Sequence, residues 1–171
     1  TARRIGPFFQ DDPHPEKSLF WACYASNKRS ITLDLQIHEG HLLLEKLVQS
    51  SHFLIESFRP GYLSELGLSY KHLIKLNPSL IYVSITPFGQ EGPYKNYHAT
   101  DLIGMALSGM MHLTGDPDRP PVRISTPQFW AIGSASGAAG AMIANHYRLL
   151  TGKGQHVDVS CQQAVARSLS H

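Results

Sequence analysis

Short apolar segments alternate with amphipathic helical patterns over the first half of this chain, and this alternation is the strongest constraint on its fold. Runs rich in β-branched and other apolar residues predict strands, and leucine or valine at helical spacing predicts helices. The predicted strands cover 30–35, 52–56 and 80–85, and the predicted helices cover 39–49 and 70–76. A strand–helix–strand–helix–strand order favours an α/β fold in which helices flank a parallel sheet.

The second half of the chain has a mostly helical pattern. Helices are predicted at 101–113, 130–150 and 164–170, and a final strand is predicted at 155–160. In the long helix, Gly133, Gly137 and Ala141 lie four residues apart. Small residues at this spacing let another backbone approach closely, so they predict a packing surface.

Two loops rich in glycine and proline follow the second and third predicted strands, at 57–61 and 86–93. Ligands of parallel sheets usually bind beyond the carboxyl ends of the strands. Glycine and proline let a backbone approach a ligand, but they also occur in ordinary turns. The loops are therefore candidate binding loops, and simple chain reversal is the alternative.

The composition is typical of a folded domain rather than a disordered chain. The chain has 171 residues, of which 42% are hydrophobic and 16% are charged, and this length fits one domain. Its basic residues are scattered and the formal charge is only +2, which argues against nucleic-acid binding. The tight basic pairs are Arg3 with Arg4 and Lys28 with Arg29. Such pairs suit a small phosphorylated ligand, or they are solvated surface.

The sequence gives little indication of a metal-binding protein or a membrane protein. Cys23 and Cys161 lack a CxxC partner and the ten histidines are dispersed, so no metal site is predicted. The most apolar stretch, 129–144, is shorter than the ~20 residues that a bilayer span needs. The first residues show no signal-peptide pattern, so we expect a cytoplasmic protein without membrane contact. The chain does not begin with Met, which indicates processing or a piece of a longer protein.

Five motifs occur in order: N-K-R-S at 27–30, E-S-F-R-P-G at 56–61, the run at 77–94, L-T-G at 113–115, and T-G-K-G-Q-H-V-D-V-S at 151–160. Together they resemble the family III CoA-transferases, also called the CaiB/BaiF family. The resemblance implies a Rossmann-like large domain, with two full-length chains interlocked as a dimer. Family members are much longer than this chain. Residues 1–171 are therefore expected to be a partial large, CoA-binding domain, without the small domain and the C-terminal half.

The resemblance implies an activity that moves CoA between an acyl-CoA thioester and a free carboxylic acid, with CoA or acyl-CoA as substrate. It also implies that CoA contacts Arg3, Arg4, Asn27, Lys28, Arg29, Ser57, Phe58, Arg59 and Pro60. The group at 27–29 would meet the nucleotide phosphates, since lysine supplies a mobile charge and arginine a bidentate fork. Phe58 and Arg59 would contact adenine or pantetheine, and core packing is the alternative for Phe58.

Trp130 is the main departure from the family pattern. It lies 21 residues before Thr151, where the resemblance implies an Asp whose carboxylate attacks the acyl-CoA thioester. An indole has no nucleophilic oxygen, so no catalytic residue is assigned to this chain. Thr100 likewise stands where the racemase branch has a His, and His98 lies two residues away from that position. Ser57 replaces the usual Asn of the first binding loop.

The sequence leaves three functions open. In the first, the chain is the non-catalytic subunit of a family III CoA-transferase, and a homologous partner subunit supplies the Asp. In the second, it is an active CoA-transferase that uses another carboxylate, such as Asp101 or one outside this sequence. In the third, it binds a CoA ester as a scaffold without catalysis. The sequence identifies neither the acyl group nor the acceptor acid, and it does not separate a homodimer from a heterodimer.

Overall fold

The computed structural model describes residues 2–169, which form two compact units that divide between Asp34 and Leu35. In the first unit, three 3₁₀ turns precede one helix. The turns are Ala2–Arg4, Phe9–Asp11 and Pro15–Lys17, and helix α1 is Leu19–Ala25. The buried Ser18 hydroxyl accepts the Trp21 N–H at 3.1 Å and donates to the Ile5 carbonyl at 2.6 Å. This serine therefore caps α1 and ties it to the start of the unit.

The second unit is an α/β structure. Its elements are α2 (His38–Ser50), β1 (Phe53–Glu56), α3 (Tyr62–Glu65), α4 (Tyr70–Leu76), β2 (Ile81–Thr86), α5 (Asp101–Leu107), α6 (Phe129–Thr151), β3 (His156–Ser160) and α7 (Cys161–Ser168). The strands form a parallel sheet in the order β1-β2-β3. β2 lies in the middle and is almost fully buried, as its continuous apolar run predicts.

Helices cover both faces of this sheet. On one face, α2, α3 and α4 pack through a buried cluster that includes Val48, Leu63 and Leu73. On the other face, α6 packs through Ala141 and Ala144 against side chains of β2 and β3. The predicted α/β fold with a parallel sheet flanked by helices is confirmed.

The small residues of α6 allow its close approach to neighbouring elements. A Cβ atom on Gly133 would overlap the Sγ atom of Cys161, the first residue of α7. A Cβ atom on Gly137 would come within 2.9 Å of the Ile85 side chain of β2. The packing surface predicted from the four-residue spacing is therefore confirmed.

Most element predictions hold, but two differ from the structure. No strand forms at 30–35, because these residues pair with no strand in the described part of the chain and Ile31 is exposed. An alternating pattern alone does not make a strand without a neighbour. The helix predicted at 101–113 ends at Leu107, and Gly109 then adopts a left-handed φ of 88° that reverses the chain.

Residues 2–169 contain neither a candidate membrane span nor a candidate metal cluster. No helix there is both long enough and apolar enough to cross a bilayer. No group of three or more His, Cys, Asp or Glu side chains in that range is arranged to hold a metal ion.

Candidate binding site

A cavity of about 720 Å³ opens at the carboxyl ends of β1 and β2. Its walls are residues 57–61 and 95–99, together with Glu65, Pro87, Gln90 and Trp130. The loops after the two strands thus meet where the parallel sheet predicts a ligand site. Its volume lies within the roughly 300–1,000 Å³ that is common for small-molecule sites.

The first wall is the loop after β1. Arg59 makes a bidentate ion pair with Glu65, and one of its two hydrogen bonds measures 2.8 Å. Its guanidinium also lies 5.6 Å from the Tyr62 ring centroid. Phe58 is 43% exposed and its ring lies 5.0 Å from that of Tyr62. Phe58 is therefore not part of the core, and it offers a flat apolar surface at the cavity.

The second wall is the loop after β2, and two side chains fix its turn. The Thr86 hydroxyl accepts the Gly89 N–H at 3.0 Å. The Asp158 carboxylate, on β3, accepts the Gln90 N–H at 2.9 Å. Phe88 of this loop is buried, and its ring contacts those of Tyr94 and Tyr97. The loop is thereby held against the end of the sheet.

Sequence reasoning missed the third wall, residues 95–99. It supplies the exposed side chains of Lys95, Asn96, Tyr97 and His98. These residues have no helical or strand periodicity, and the sequence pattern singled out only His98, as a neighbour of the Thr100 position. The one feature of the sequence that could have indicated these residues is their position directly after the second candidate loop.

Trp130 closes the cavity at the start of α6. Its side chain is 37% exposed, and its ring meets the Phe129 ring edge-on at 5.3 Å. A Cβ atom on Gly104 of α5 would overlap the Phe129 ring. The absence of a side chain at Gly104 therefore lets Phe129 sit against α5, and this contact places Trp130.

Asp101 holds the same helix start. One carboxylate oxygen accepts the N–H groups of Gln128 and Phe129 at 2.9 and 3.0 Å. The other oxygen lies 3.6 Å from the Arg123 guanidinium, and the Asp101 side chain is only 15% exposed. A carboxylate at a helix N-terminus satisfies orphan N–H groups and opposes the positive end of the helix dipole. The observed role of Asp101 is therefore to cap α6.

A row of polar side chains crosses the sheet next to the cavity. Glu56 pairs with Ser84, and Ser84 pairs with Asp158, in the parallel register. The Glu56 carboxylate accepts the Phe58 N–H at 2.8 Å. Burial raises the pKa of Glu56, and the nearby Asp158 charge raises it further. Burial also lowers the pKa of His156, whose Nε2 lies 2.9 Å from the Ser84 hydroxyl. Sequence reasoning did not single out this row.

The remaining residues predicted to contact CoA lie in the first unit. Arg3 is half-buried, pairs with Glu16 at 2.7 Å and lies over the Trp21 ring. The Lys28 ammonium donates to the Tyr24 carbonyl. Arg4, Asn27 and Arg29 are exposed. Of the nine predicted contacts, Ser57, Phe58, Arg59 and Pro60 line the cavity. Contact of any of the nine with CoA stays a prediction.

Comparison with known proteins identifies the class. The sequence profile described as CoA-transferase family III matches residues 1–171. A CaiB/BaiF family protein from Brucella suis has a similar structure, with a TM-score of 0.88 and 33% identity over 99% of this chain and 45% of its own. The chain belongs to CoA-transferase family III, as its motifs indicate.

Two curated relatives illustrate the similarity. Succinyl-CoA:(R)-benzylsuccinate CoA-transferase subunit BbsE of Thauera aromatica is 40% identical over 99% of this chain and 41% of its own length. Succinyl-CoA–D-citramalate CoA-transferase of Chloroflexus aurantiacus is 41% identical over 87% of this chain and 37% of its own. The chain thus spans about two-fifths of the length of these relatives.

Proposed function

We propose that this chain belongs to the non-catalytic subunit of a CoA-transferase that moves CoA between an acyl-CoA thioester and a free carboxylic acid. The observation that carries the proposal is Trp130, whose side chain lines the cavity at the position where the family resemblance implies an Asp. An indole cannot form an acyl anhydride, because it has no nucleophilic oxygen. A homologous partner subunit supplies the carboxylate.

The cavity chemistry suits part of a CoA ester. Phe58 and Tyr97 offer aromatic surface, and Gln90 and Asn96 offer amide donors and acceptors. Lys95 adds a positive charge that favours an anionic ligand. Most small-molecule sites combine apolar walls with a few polar groups in this way.

The structure offers no support for Asp101 as a replacement nucleophile. One of its oxygens already accepts two backbone N–H groups, and the other is buried beside Arg123. Attack on a thioester would require the carboxylate to leave the N-terminus of α6. Asp101 precedes Trp130 by 29 residues, so the sequence alone does not indicate that it caps α6.

The relatives favour a heteromeric assembly. One is named as subunit BbsE, and two others are named as the alpha and beta subunits of succinyl-CoA–L-malate CoA-transferase of Chloroflexus aurantiacus. We therefore propose that the full-length protein pairs with an active homologue, in the interlocked manner that the family resemblance implies. Succinyl-CoA is the donor that these names suggest testing first.

The test is covalent trapping in the assembled protein. The full-length protein and its co-purifying homologue are mixed with succinyl-CoA, quenched in acid, digested and analysed by mass spectrometry. We expect an acyl or CoA adduct on a carboxylate of the homologue and none on this chain. An adduct on any residue of this chain would overturn the non-catalytic assignment.

Two controls separate the other possible functions. The homologue alone, treated in the same way, shows whether trapping requires the pair. If no mixture transfers CoA but calorimetry detects CoA binding to this chain, the scaffold function replaces the proposal. If the chain forms an active enzyme with itself, the partner hypothesis fails.

A further inference from the structure

The two loops that form the cavity are held by carboxylates from the same row of the sheet. Glu56, at the end of β1, accepts the N–H of Phe58 in the first loop at 2.8 Å. Asp158, on β3, accepts the N–H of Gln90 in the second loop at 2.9 Å. Phe58 and Gln90 both line the cavity. Each loop is therefore fixed at a residue that faces the ligand space.

Ser84 lies between the two carboxylates. It is 1% exposed and is the register partner of Glu56 on one side and of Asp158 on the other. Its hydroxyl lies 2.9 Å from the His156 ring nitrogen. The middle strand thus places a buried serine between the anchors of the two loops.

We propose that Glu56 and Asp158, linked through Ser84, are positioning residues that set the two cavity loops as one unit. Their role in ligand binding rests on the proposed function, in which the cavity takes a CoA ester. Neither residue lines the cavity, so each acts through the backbone N–H that it holds. A change in either carboxylate alters the shape that the ligand meets, without removing a ligand contact.

The unfavourable electrostatic environment of Glu56 supports a positioning role. Glu56 is partly buried and faces the Asp158 carboxylate across Ser84, and both effects oppose its ionisation. The Tyr70 ring of α4 stacks on the neighbouring His156 ring, with the two ring centroids 5.1 Å apart. A partly buried carboxylate beside a second carboxylate destabilises a fold unless its hydrogen bonds offset the loss of hydration and the repulsion. Here its bond to the Phe58 N–H orders a loop.

The first measurement is hydrogen exchange of the two loops in the full-length protein. Glu56→Ala is expected to speed exchange at 57–61 about tenfold, because one hydrogen bond to a charged group is lost. Asp158→Ala is expected to do the same at 87–93. Glu91→Ala removes an exposed carboxylate from the second loop itself and is the matched control. Unchanged exchange at both loops in both variants would overturn the inference.

A further variant, compared by hydrogen exchange, tests whether the two loops are linked through Ser84. Ser84→Ala keeps both carboxylates but removes the hydroxyl between them, so both loops are expected to exchange about threefold faster. The Glu56→Ala and Asp158→Ala effects are expected to be non-additive when combined, as for residues in one network. Additive effects confined to each variant's own loop would overturn the claim that the loops act as one unit.

The second measurement is calorimetric titration with CoA. Glu56→Ala and Asp158→Ala are each expected to raise the CoA Kd about tenfold, while Glu91→Ala leaves it unchanged. Glu56→Gln and Asp158→Asn keep an oxygen acceptor and are expected to restore most of the affinity. These two variants also show whether an alanine effect came only from misfolding.

The outcomes distinguish the two proposals. If the unmodified protein and its assembled complex do not bind CoA, the proposed function fails, and loop exchange still tests the positioning role. If CoA binds and its Kd is the same in Glu56→Ala, Asp158→Ala and Glu91→Ala, the role in ligand binding fails while the proposed function stands.

Discussion

The two compact units place their candidate ligand-binding residues in different ways. In the first unit, Arg3 pairs with Glu16, and Lys28 contacts the carbonyl of Tyr24, one helical turn before it. In the second unit, the cavity is positioned by groups far away in sequence, such as Asp158 at the Gln90 N–H. The cavity therefore depends on how the sheet and helices pack. The basic residues Arg3 and Lys28 instead depend on single pairs within the first unit, 13 and 4 residues apart in sequence.

Gly104→Ala is expected to have the largest effect on stability, because it disrupts the contact between α5 and Phe129 that positions Trp130. The new methyl group would overlap the Phe129 ring, so α5 or α6 must shift. We expect a loss of roughly 2–3 kcal/mol in the free energy of unfolding, measured in urea. In a Trp21→Phe background, Trp130 is the remaining tryptophan of this sequence, and its emission should shift to the red. Unaltered emission and stability would show that α5 does not place Trp130.

Asp101→Ala is expected to act next most strongly, at the same helix start. It leaves the N–H groups of Gln128 and Phe129 without their acceptor. Loss of such a cap typically costs about 1–2 kcal/mol in the free energy of unfolding. Asp101→Asn is the control, since its amide oxygen can still accept both bonds. Equal destabilisation by Ala and Asn would point to the Arg123 ion pair instead of the cap.

Ser18→Ala tests the first unit in the same way. It removes the cap of α1 and the hydrogen bond to the Ile5 carbonyl. We expect a loss of about 1 kcal/mol in local stability, measured as faster hydrogen exchange over residues 2–25. Ser26→Ala, at the other end of α1, is a suitable control because Ser26 is exposed. Equal exchange in both variants would mean that Ser18 does not organise this unit.

Arg59→Ala is expected to change stability least, although Arg59 lines the cavity. Its ion pair with Glu65 is exposed, and such pairs contribute little in water. If Arg59 contacts CoA, the variant should weaken CoA binding in calorimetry with almost no shift in Tm. Glu65→Ala frees the guanidinium and should leave binding equal or stronger. A large drop in Tm would show that the pair supports the fold instead.

Periodicity predicted the three strands of the sheet and the helices α2, α4, α5, α6 and α7, because these elements carry their signal locally, whereas the short helices α1 and α3 were not predicted. The segment at 30–35 has the same alternating pattern as a strand, but no strand in the described residues pairs with it. Pairing is a property of two segments. A pattern in one segment therefore overestimates strand content wherever the partner is absent.

The candidate site was predictable only in part. The loops at 57–61 and 86–93 were expected from topology, and both contribute to the cavity wall. The row formed by Glu56, Ser84 and Asp158 depends on strand register, which the sequence does not state. The capping role of Asp101 depends on the packing of α5 beside α6. Residues that act through tertiary neighbours carry no local pattern, so they appear only in the structure.

The close packing of α6 on Cys161 has a practical consequence for thiol chemistry. Burial beneath Gly133 raises the pKa of the Cys161 thiol to about 11, so little thiolate exists at neutral pH. Cys23 is exposed and has no such protection. A maleimide dye should therefore label Cys23 in the native protein and reach Cys161 only when α6 lifts away from α7. The rate of that second labelling reports how often the region beside the cavity opens.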